Sequence, residues 1–272
     1  MKKILITGAN SYIGTSAEKW LNKYPDKYTI DTLDMRGDYW KLHDFSKYDV
    51  VFHIAGIAHI KTTKENRDLY YKINTELAVE TAKKAKAECV KQFVFMSSMS
   101  SMYGSNLVQG KLPKTVYGES KLLAEQQINP LGNDNFKIAI LKPPMVYGKG
   151  CKGNFPKLVK LAHKTPIFPN FPNKRSMIYI DNLCEFVRLI IDNEDSGVFY
   201  PQNSEYVCTS ELVKIVNPKI RLIKIFNPFI RLLRNRVGLM NKVFGDLVYD
   251  QRLSKNFEYC VVNFEESIIQ SV

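Results

Sequence analysis

The sequence contains no Cys-x-x-Cys pair, and its cysteines, Cys89, Cys151, Cys184, Cys208 and Cys260, stand singly along the chain. That spacing excludes a zinc ribbon or a dithiol redox motif; the cysteines read as packing residues and no metal is expected. No apolar run approaches the roughly 18–20 residues that a membrane span requires. The apolar stretch after Met1-Lys2-Lys3 ends at Thr7-Gly8, which reads as a strand rather than a secretory leader and makes the cytoplasm the expected compartment. Internal repeats and biased tracts are also missing. Acidic residues are the minority, 27 against 39 Lys and Arg for a formal net charge of +12, yet the basic residues form no dense block. Nucleic acid is therefore not an expected partner, since a positive cleft equally suits a small anionic ligand. The basic residues do interleave with apolar ones from Lys219 to Lys242, at Arg221, Lys224, Arg231, Arg234, Arg236 and Lys242. The preferred reading of that segment is the solvated face of a helical lobe, and the other is peripheral contact with an anionic membrane surface.

What is present is an alternation of short apolar runs with segments of helical period. Lys3–Thr7, Tyr28–Asp34, Val50–Ile54, Phe93–Met96 and Lys137–Leu141 read as strands. Between them Gly14–Tyr24 and Tyr117–Ile128 read as helices, as does the stripe Ile73, Leu77, Ala78, Thr81, Ala82 and Ala85. Strand-helix alternation predicts an α/β fold with a doubly wound parallel sheet. After Pro143-Pro144 the elements become shorter and Pro- and Asn-punctuated, with helices expected near Asn154–Lys164, Asp181–Asp192 and Phe229–Leu233. Residues 1–150 are assigned to the sheet domain, with 177–192 packing back onto it, and the remainder of 151–272 mostly to a small C-terminal lobe.

Gly8-Ala9-Asn10-Ser11-Tyr12-Ile13-Gly14 follows the first strand and opens the first helix, the context of a phosphate-binding turn. Gly8 permits the tight turn, Gly14 a close helix–sheet approach, and Ser11 stands where a glycine is usual. The second strand ends at Asp34, placed to take adenine ribose hydroxyls, which favours NAD over NADP; Arg36 pulls the other way. Ala55-Gly56, after the third strand, leaves room for a dinucleotide against the backbone.

Tyr117-Gly118-Glu119-Ser120-Lys121 places a phenol and an ammonium on one helical face. A tyrosine titrates near 10, and a nearby cation lowers it toward the range useful for proton transfer. Ser98, at the carboxyl edge of the Phe93–Met96 strand, is placed to hold the substrate oxygen while Tyr117 exchanges its proton. Ser97 and Ser100 are the other candidates for that hydroxyl.

These pieces resemble the extended short-chain dehydrogenases, in the NAD-dependent epimerase/dehydratase family. The resemblance rests on Thr7-Gly8-Ala9 with Gly14, Asp49 to Ala55, Phe95-Met96-Ser97-Ser98 leading to Tyr103-Gly104, Tyr117-x-x-x-Lys121, Pro143 to Gly148, and Arg175 leading to Tyr179-Ile180-Asp181-Asn182-Leu183. It implies a Rossmann-type sheet with a substrate-binding lobe, NAD(P) as cofactor, and Ser98, Tyr117 and Lys121 as the catalytic set. It further implies that Lys121 holds the nicotinamide ribose, that Pro144 borders the nicotinamide, and that Asn154 and Arg175 contact a substrate diphosphate. The Asp-Glu pair expected of a sugar dehydratase is replaced by Met99-Ser100, and the stretch from Gly104 to Tyr117 is short. The implied activity is hydride transfer at C4 of a UDP-linked hexose or N-acetylhexosamine in bacterial surface-polysaccharide synthesis, by a 4-keto reductase or a 4-epimerase, with reduction favoured. A homodimer is implied too. The alternative is a catalytically inactive NAD(P)-binding sensor or scaffold of the same fold.

Overall fold

The computed structural model describes residues 1–58, 60, 62–102, 113, 115–234, 236–254 and 258–272, with backbone alone at 239. Six parallel strands form the main sheet: β1 (Lys2–Thr7), β2 (Tyr28–Leu33), β3 (Val50–His53), β4 (Gln92–Met96), β5 (Lys137–Leu141) and, from far along the chain, β9 (Gly197–Phe199). Their order is β2-β1-β3-β4-β5-β9. The sheet runs outward in both directions from β1 and β3, so the chain reverses its winding there and leaves a crevice at the strands' carboxyl ends. Asp34 lies one residue beyond β2, as a loop residue rather than the strand end expected from the sequence.

Side-chain alternation between two covered faces explains why the inner strands are mostly apolar, whereas the edge strand β2 carries exposed Thr29, Asp31 and Thr32. Ile4 and Ile6 pack with Ala17 and Leu21 of α1 (Tyr12–Leu21), whereas Leu5 faces the opposite layer. That opposite layer is built from α3 (Leu77–Ala87) and α4 (Val116–Ile128), which present Ala78, Ala82, Ala85, Ala124 and Ile128. The chain reaches α3 through the short α2 (Arg67–Tyr71) and a wide π-helical turn over Lys72–Glu76.

Past β5 lie β6 (Met145–Tyr147), α5 (Asn154–Lys164), β7 (Ile167–Pro169), β8 (Met177–Tyr179) and α6 (Ile180–Asp192). β6 pairs with β8 in a parallel two-stranded sheet. α6 lies against α1: Trp20 Nε1 donates to Glu185 Oε2 at 2.9 Å, and Tyr28 donates to Asp192 at 2.5 Å. The chain then forms α7 (Thr209–Val216), β10 (Arg221–Ile223), which pairs with β7, α8 (Asn227–Leu233), α9 (Gly238–Phe244) and α10 (Phe264–Ser271). No helix among the described residues is long and apolar enough to cross a membrane.

Candidate active site

The turn between β1 and α1 is shaped by what cannot be added to it. Gly8 has φ +95°, and a Cβ there would lie 2.8 Å from the Ala55 nitrogen. Asn10 also takes a positive φ of 65°, a conformation that asparagine tolerates better than most residues. At Gly14 a Cβ would meet Ser11 Oγ at 2.7 Å. Ser11 is the N-cap of α1, its hydroxyl accepting from the Gly14 amide at 3.1 Å. Its oxygen is thus engaged by the helix, while the first-turn amides of Tyr12 and Ile13 belong to the group that a helix leaves without intrahelical partners. The Tyr12 ring reaches toward Gly148, where a Cβ would stand 2.6 Å from Tyr12 Oη. These clearances, with the Ala55-Gly56 backbone facing Gly8, fit a dinucleotide diphosphate laid across the helix start. Asp34 is exposed, and Arg36 folds onto it with contacts of 2.5 to 3.1 Å, holding the carboxyl below its usual range.

The three candidate serines among the four that follow β4 have different surroundings. Ser97 is buried and donates to Glu125 Oε1 in a short hydrogen bond. Ser100 is exposed. Ser98 caps the 3₁₀ turn Met99–Ser101, accepting from the Ser100 amide at 3.1 Å, and its hydroxyl lies near enough to the Tyr117 phenol to act on its titration. Gly118 makes this juxtaposition possible: a Cβ there would fall 2.1 Å from the Ser100 carbonyl oxygen, so the turn lies flat on α4 beside Tyr117. The Met99 amide donates to the Pro143 carbonyl at 2.8 Å, tying the loop that contains buried Pro144 to the same edge.

Tyr117 titrates above its ordinary value, because burial outweighs the opposing action of the Ser98 hydroxyl. This corrects the expectation of a phenol lowered by Lys121. The ammonium of Lys121 is itself pushed down to about 8 by burial, with the Glu125 carboxylate acting against the shift. Its Nζ donates to the Met96 carbonyl at 2.9 Å and lies 4.8 Å from the centre of the Phe95 ring. A Cβ on Gly56 would be 3.3 Å from that Nζ, so Lys121 stands at the junction between β4, α4 and the loop after β3.

Asn74, in the π-helical turn, was not singled out from the sequence. It is fully buried; its Oδ1 accepts from the Ile57 amide at 2.8 Å, and its Nδ2 donates to the Ile57 carbonyl and to Ser120 Oγ, both at 3.1 Å. It therefore clamps the loop after β3 to α4. The available signal was a carboxamide at the start of an apolar helical stripe, but the turn that aims it inward has no sequence pattern. Glu125 and Lys142 form a further buried pair at 2.6 Å, also unforeseen. His53 is wholly buried, with Nδ1 2.8 Å from Thr7 Oγ1, and burial pushes its pKa down to about 3, so the ring is neutral near pH 7.

Two other candidates belong to elements later in the chain. Asn154 is exposed in the first turn of α5. Arg175 is half-buried between residues 207 and 247, its Nη1 donating to the Gly245 carbonyl at 3.0 Å, and burial lowers its pKa. Tyr103 and Gly104 fall outside the described residues. No group of three or more His, Cys, Asp or Glu suited to a metal ion occurs among the described residues.

Known proteins are similar to this chain over most of its length. A UDP-glucose 4-epimerase of Vibrio cholerae is 32% identical over 243 residues, covering 78% of this chain and 74% of its own length. The N-acetyl-alpha-D-glucosaminyl-diphospho-ditrans,octacis-undecaprenol 4-epimerase of Escherichia coli is 24% identical over 219 residues, covering 71% of this chain and 64% of the relative. A solved UDP-glucuronic acid 4-epimerase from Bacillus cereus, in complex with NAD, superposes with a TM-score of 0.71 at 18% identity, covering 99% of this chain and 97% of that one, a likeness of fold. The model of the NAD dependent epimerase/dehydratase family matches residues 4–202, the greater part of the sequence, and the chain belongs to that family.

Proposed function

We propose that the protein inverts the C4 hydroxyl of a hexose or N-acetylhexosamine joined to a diphosphate, using NAD that remains bound through the cycle. The observation that carries this reading is the meeting of Ser98 and Tyr117 at the carboxyl edge of β4, with buried Lys121 one helical turn beyond Tyr117. Ser98 holds the C4 oxygen, and Tyr117 takes its proton and later returns it; because burial alone raises the phenol, this requires the positive charge of the oxidised nicotinamide beside it. The dinucleotide supplies the hydride acceptor and donor when bound. Lys121, whose Nζ would lie 3.3 Å from a Cβ at Gly56, holds the ribose beside the nicotinamide and offsets negative charge developing on Tyr117. Gly8, Asn10, Ser11, Tyr12, Ile13 and Gly14 cradle the diphosphate of the cofactor, Asp34 takes its adenine ribose, and Pro144 borders the nicotinamide. Asn154 and Arg175 anchor the substrate's diphosphate. Inversion requires hydrogen to return to the opposite face of the sugar, so the ring turns while that anchor holds.

Epimerisation is preferred to the reduction favoured from sequence because the 32% identical relative is a 4-epimerase. Asp34 favours NAD: a 2′-phosphate would face its carboxylate, although Arg36 already occupies that carboxylate and offsets part of the repulsion. The carrier beyond the diphosphate is a nucleoside in this reading. A polyprenol is the second, favoured by the relative named for an undecaprenol-linked sugar.

The test offers purified protein UDP-glucose and UDP-N-acetylglucosamine and follows the 4-epimers by NMR. Interconversion to equilibrium without net cofactor use is the expected result. Stoichiometric oxidation of NADH or NADPH by a 4-keto sugar nucleotide would instead identify a reductase. Turnover only of a polyprenyl-diphosphate-linked N-acetylhexosamine would select the second carrier, and binding of cofactor with no turnover of that or of any of these substrates would identify the inactive sensor.

A further inference from the structure

Between Glu211 and Asp246 the sequence contains no carboxylate and eight lysines and arginines. β10, α8 and α9 are built from this stretch. α8 buries a single side chain, Ile230, which is 2% exposed, and is pinned where Asn227 Nδ2 donates to the Asn170 carbonyl at 2.9 Å. Its other sides face outward. Ile225 is 79% exposed, Phe229 58% and Leu232 58%, at spacings of four and three residues that align them along one stripe, with Phe226 beside them. Phe226 and Phe229 are the only phenylalanines in the exposed class among the described residues.

Around this stripe Lys224, Arg231 and Arg236 are exposed, and no ion pair involves them among the described residues. Arg234 differs: it is 3.5 Å from Asp246 and lies over the Phe171 ring, so it serves the lobe's own structure. Back along β10 the positive surface continues into a shallow groove of about 550 Å³ lined by His163, Lys164, Lys219 and Arg221.

We propose that this face docks on an anionic phospholipid bilayer. The occupant must accept bulky apolar side chains and also carry negative charge. A second copy of the chain would bring like charges together around the apolar stripe. Nucleic acid supplies phosphates but no apolar phase for Phe229 and Leu232. An acidic membrane surface supplies both, with the apolar stripe entering the acyl boundary and the basic rim meeting the headgroups.

The face is also tied to the candidate site. α9 runs directly into Gly245, whose carbonyl accepts from Arg175, and Leu247 exchanges backbone hydrogen bonds with the residues on either side of Arg175. Docking would thus bring the Arg175 region close to the membrane. That consequence rests on the proposed function, under the polyprenol reading; the docking itself does not.

The test is sedimentation of the full chain with vesicles of phosphatidylglycerol and phosphatidylethanolamine, and with vesicles of phosphatidylcholine alone, at about 0.1 M salt. The expected result is binding to the acidic vesicles only, weakened by added salt. Phe229→Ser with Leu232→Ser, and separately Arg231→Glu with Arg236→Glu, should each lower the partition coefficient by roughly tenfold or more with thermal unfolding unchanged. Absence of binding to acidic vesicles, equal binding to both vesicle types, or binding unaffected by either pair of substitutions would overturn the proposal. So would a concentration-dependent dimer in solution that Phe229→Ser with Leu232→Ser abolishes, since a second copy would then cover the face. No substrate enters this experiment, so its outcome is independent of the epimerase assay.

Discussion

Four hydroxyls follow β4, and the three that the sequence offered as candidates, Ser97, Ser98 and Ser100, each have a different task available. The oxygen of Ser98 meets Tyr117, that of Ser97 donates to a buried carboxylate, and Ser100 faces solvent. Alanine at Ser98 is expected to lower turnover about 100-fold, the scale of losing one donor at a developing oxyanion. Alanine at Ser100 should leave turnover within about twofold of the parent, since an exposed hydroxyl away from the reacting oxygen contributes little. Alanine at Ser97 should act on stability, costing about 1–3 kcal/mol by removing a donor to buried Glu125. Steady-state kinetics with urea unfolding of the three variants separates these effects.

Lys121 illustrates the cost of the arrangement. Its folded pKa of about 8 is lower than that of an unfolded lysine, about 10.4. In the window between these values the unfolded chain binds more protons, so this group makes stability rise with pH. Below about 8 both states are protonated and the burial penalty is fully present. Lys121→Met should therefore be more stable than the parent at pH 7 by about 2 kcal/mol, with the advantage shrinking toward pH 10, while turnover and cofactor affinity fall. Urea unfolding at the two pH values, alongside cofactor titration, checks both signs.

At the scale of elements, the site is a matter of how closely one turn lies on one helix. The Ser100 carbonyl occupies the space that a side chain at Gly118 would need. Gly118→Ala should push the turn away from α4 and separate Ser98 from Tyr117, reducing kcat at least about 100-fold while cofactor affinity stays within a few-fold. Equal activity in that variant would mean that the contact is dispensable. The glycine's spacing in Tyr117-Gly118-Glu119-Ser120-Lys121 was visible in the sequence, but its reason was not, because the partner carbonyl arrives from another element.

The same distinction governs what was legible elsewhere. Of the five strands expected from the sequence, β1, β3, β4 and β5 are mostly apolar runs buried on both faces, a pattern that survives without knowledge of partners, whereas the edge strand β2 leaves Thr29, Asp31 and Thr32 exposed. β9 was missed: Gly197-Val198-Phe199 is too short for a period, and only pairing with β5 makes it a strand. The positions of Ser98, Tyr117 and Lys121 could be read from spacing and strand order. Asn74, Glu125 and Lys142 could not, because each derives its significance from a buried partner far away in sequence.

At the scale of the whole molecule, the sheet is completed by parts that come late in the chain. α6 covers α1, β9 closes the β5 edge, and the Gln92 side chain donates to the Ile190 carbonyl at 2.9 Å. A fragment of residues 1–150 would lose Leu183, Val187, Ile190 and Ile191 of α6, which share one core with Ile4, Ile6, Val94 and Leu141. We expect that fragment to be insoluble or molten, binding a hydrophobic dye and lacking a cooperative thermal transition, despite containing the whole cofactor cradle. A folded, cofactor-binding fragment would show that the sheet does not depend on the later segments.

The central claim is that Tyr117 carries the proton while a separate cradle holds the cofactor. Its most direct test is Tyr117→Phe, measured for turnover with a UDP-sugar and, on the same preparation, for NAD affinity by calorimetry. The account predicts a loss of at least about 1,000-fold in kcat with NAD affinity within a few-fold of the parent. Turnover near the parent's in a folded Tyr117→Phe protein would contradict it.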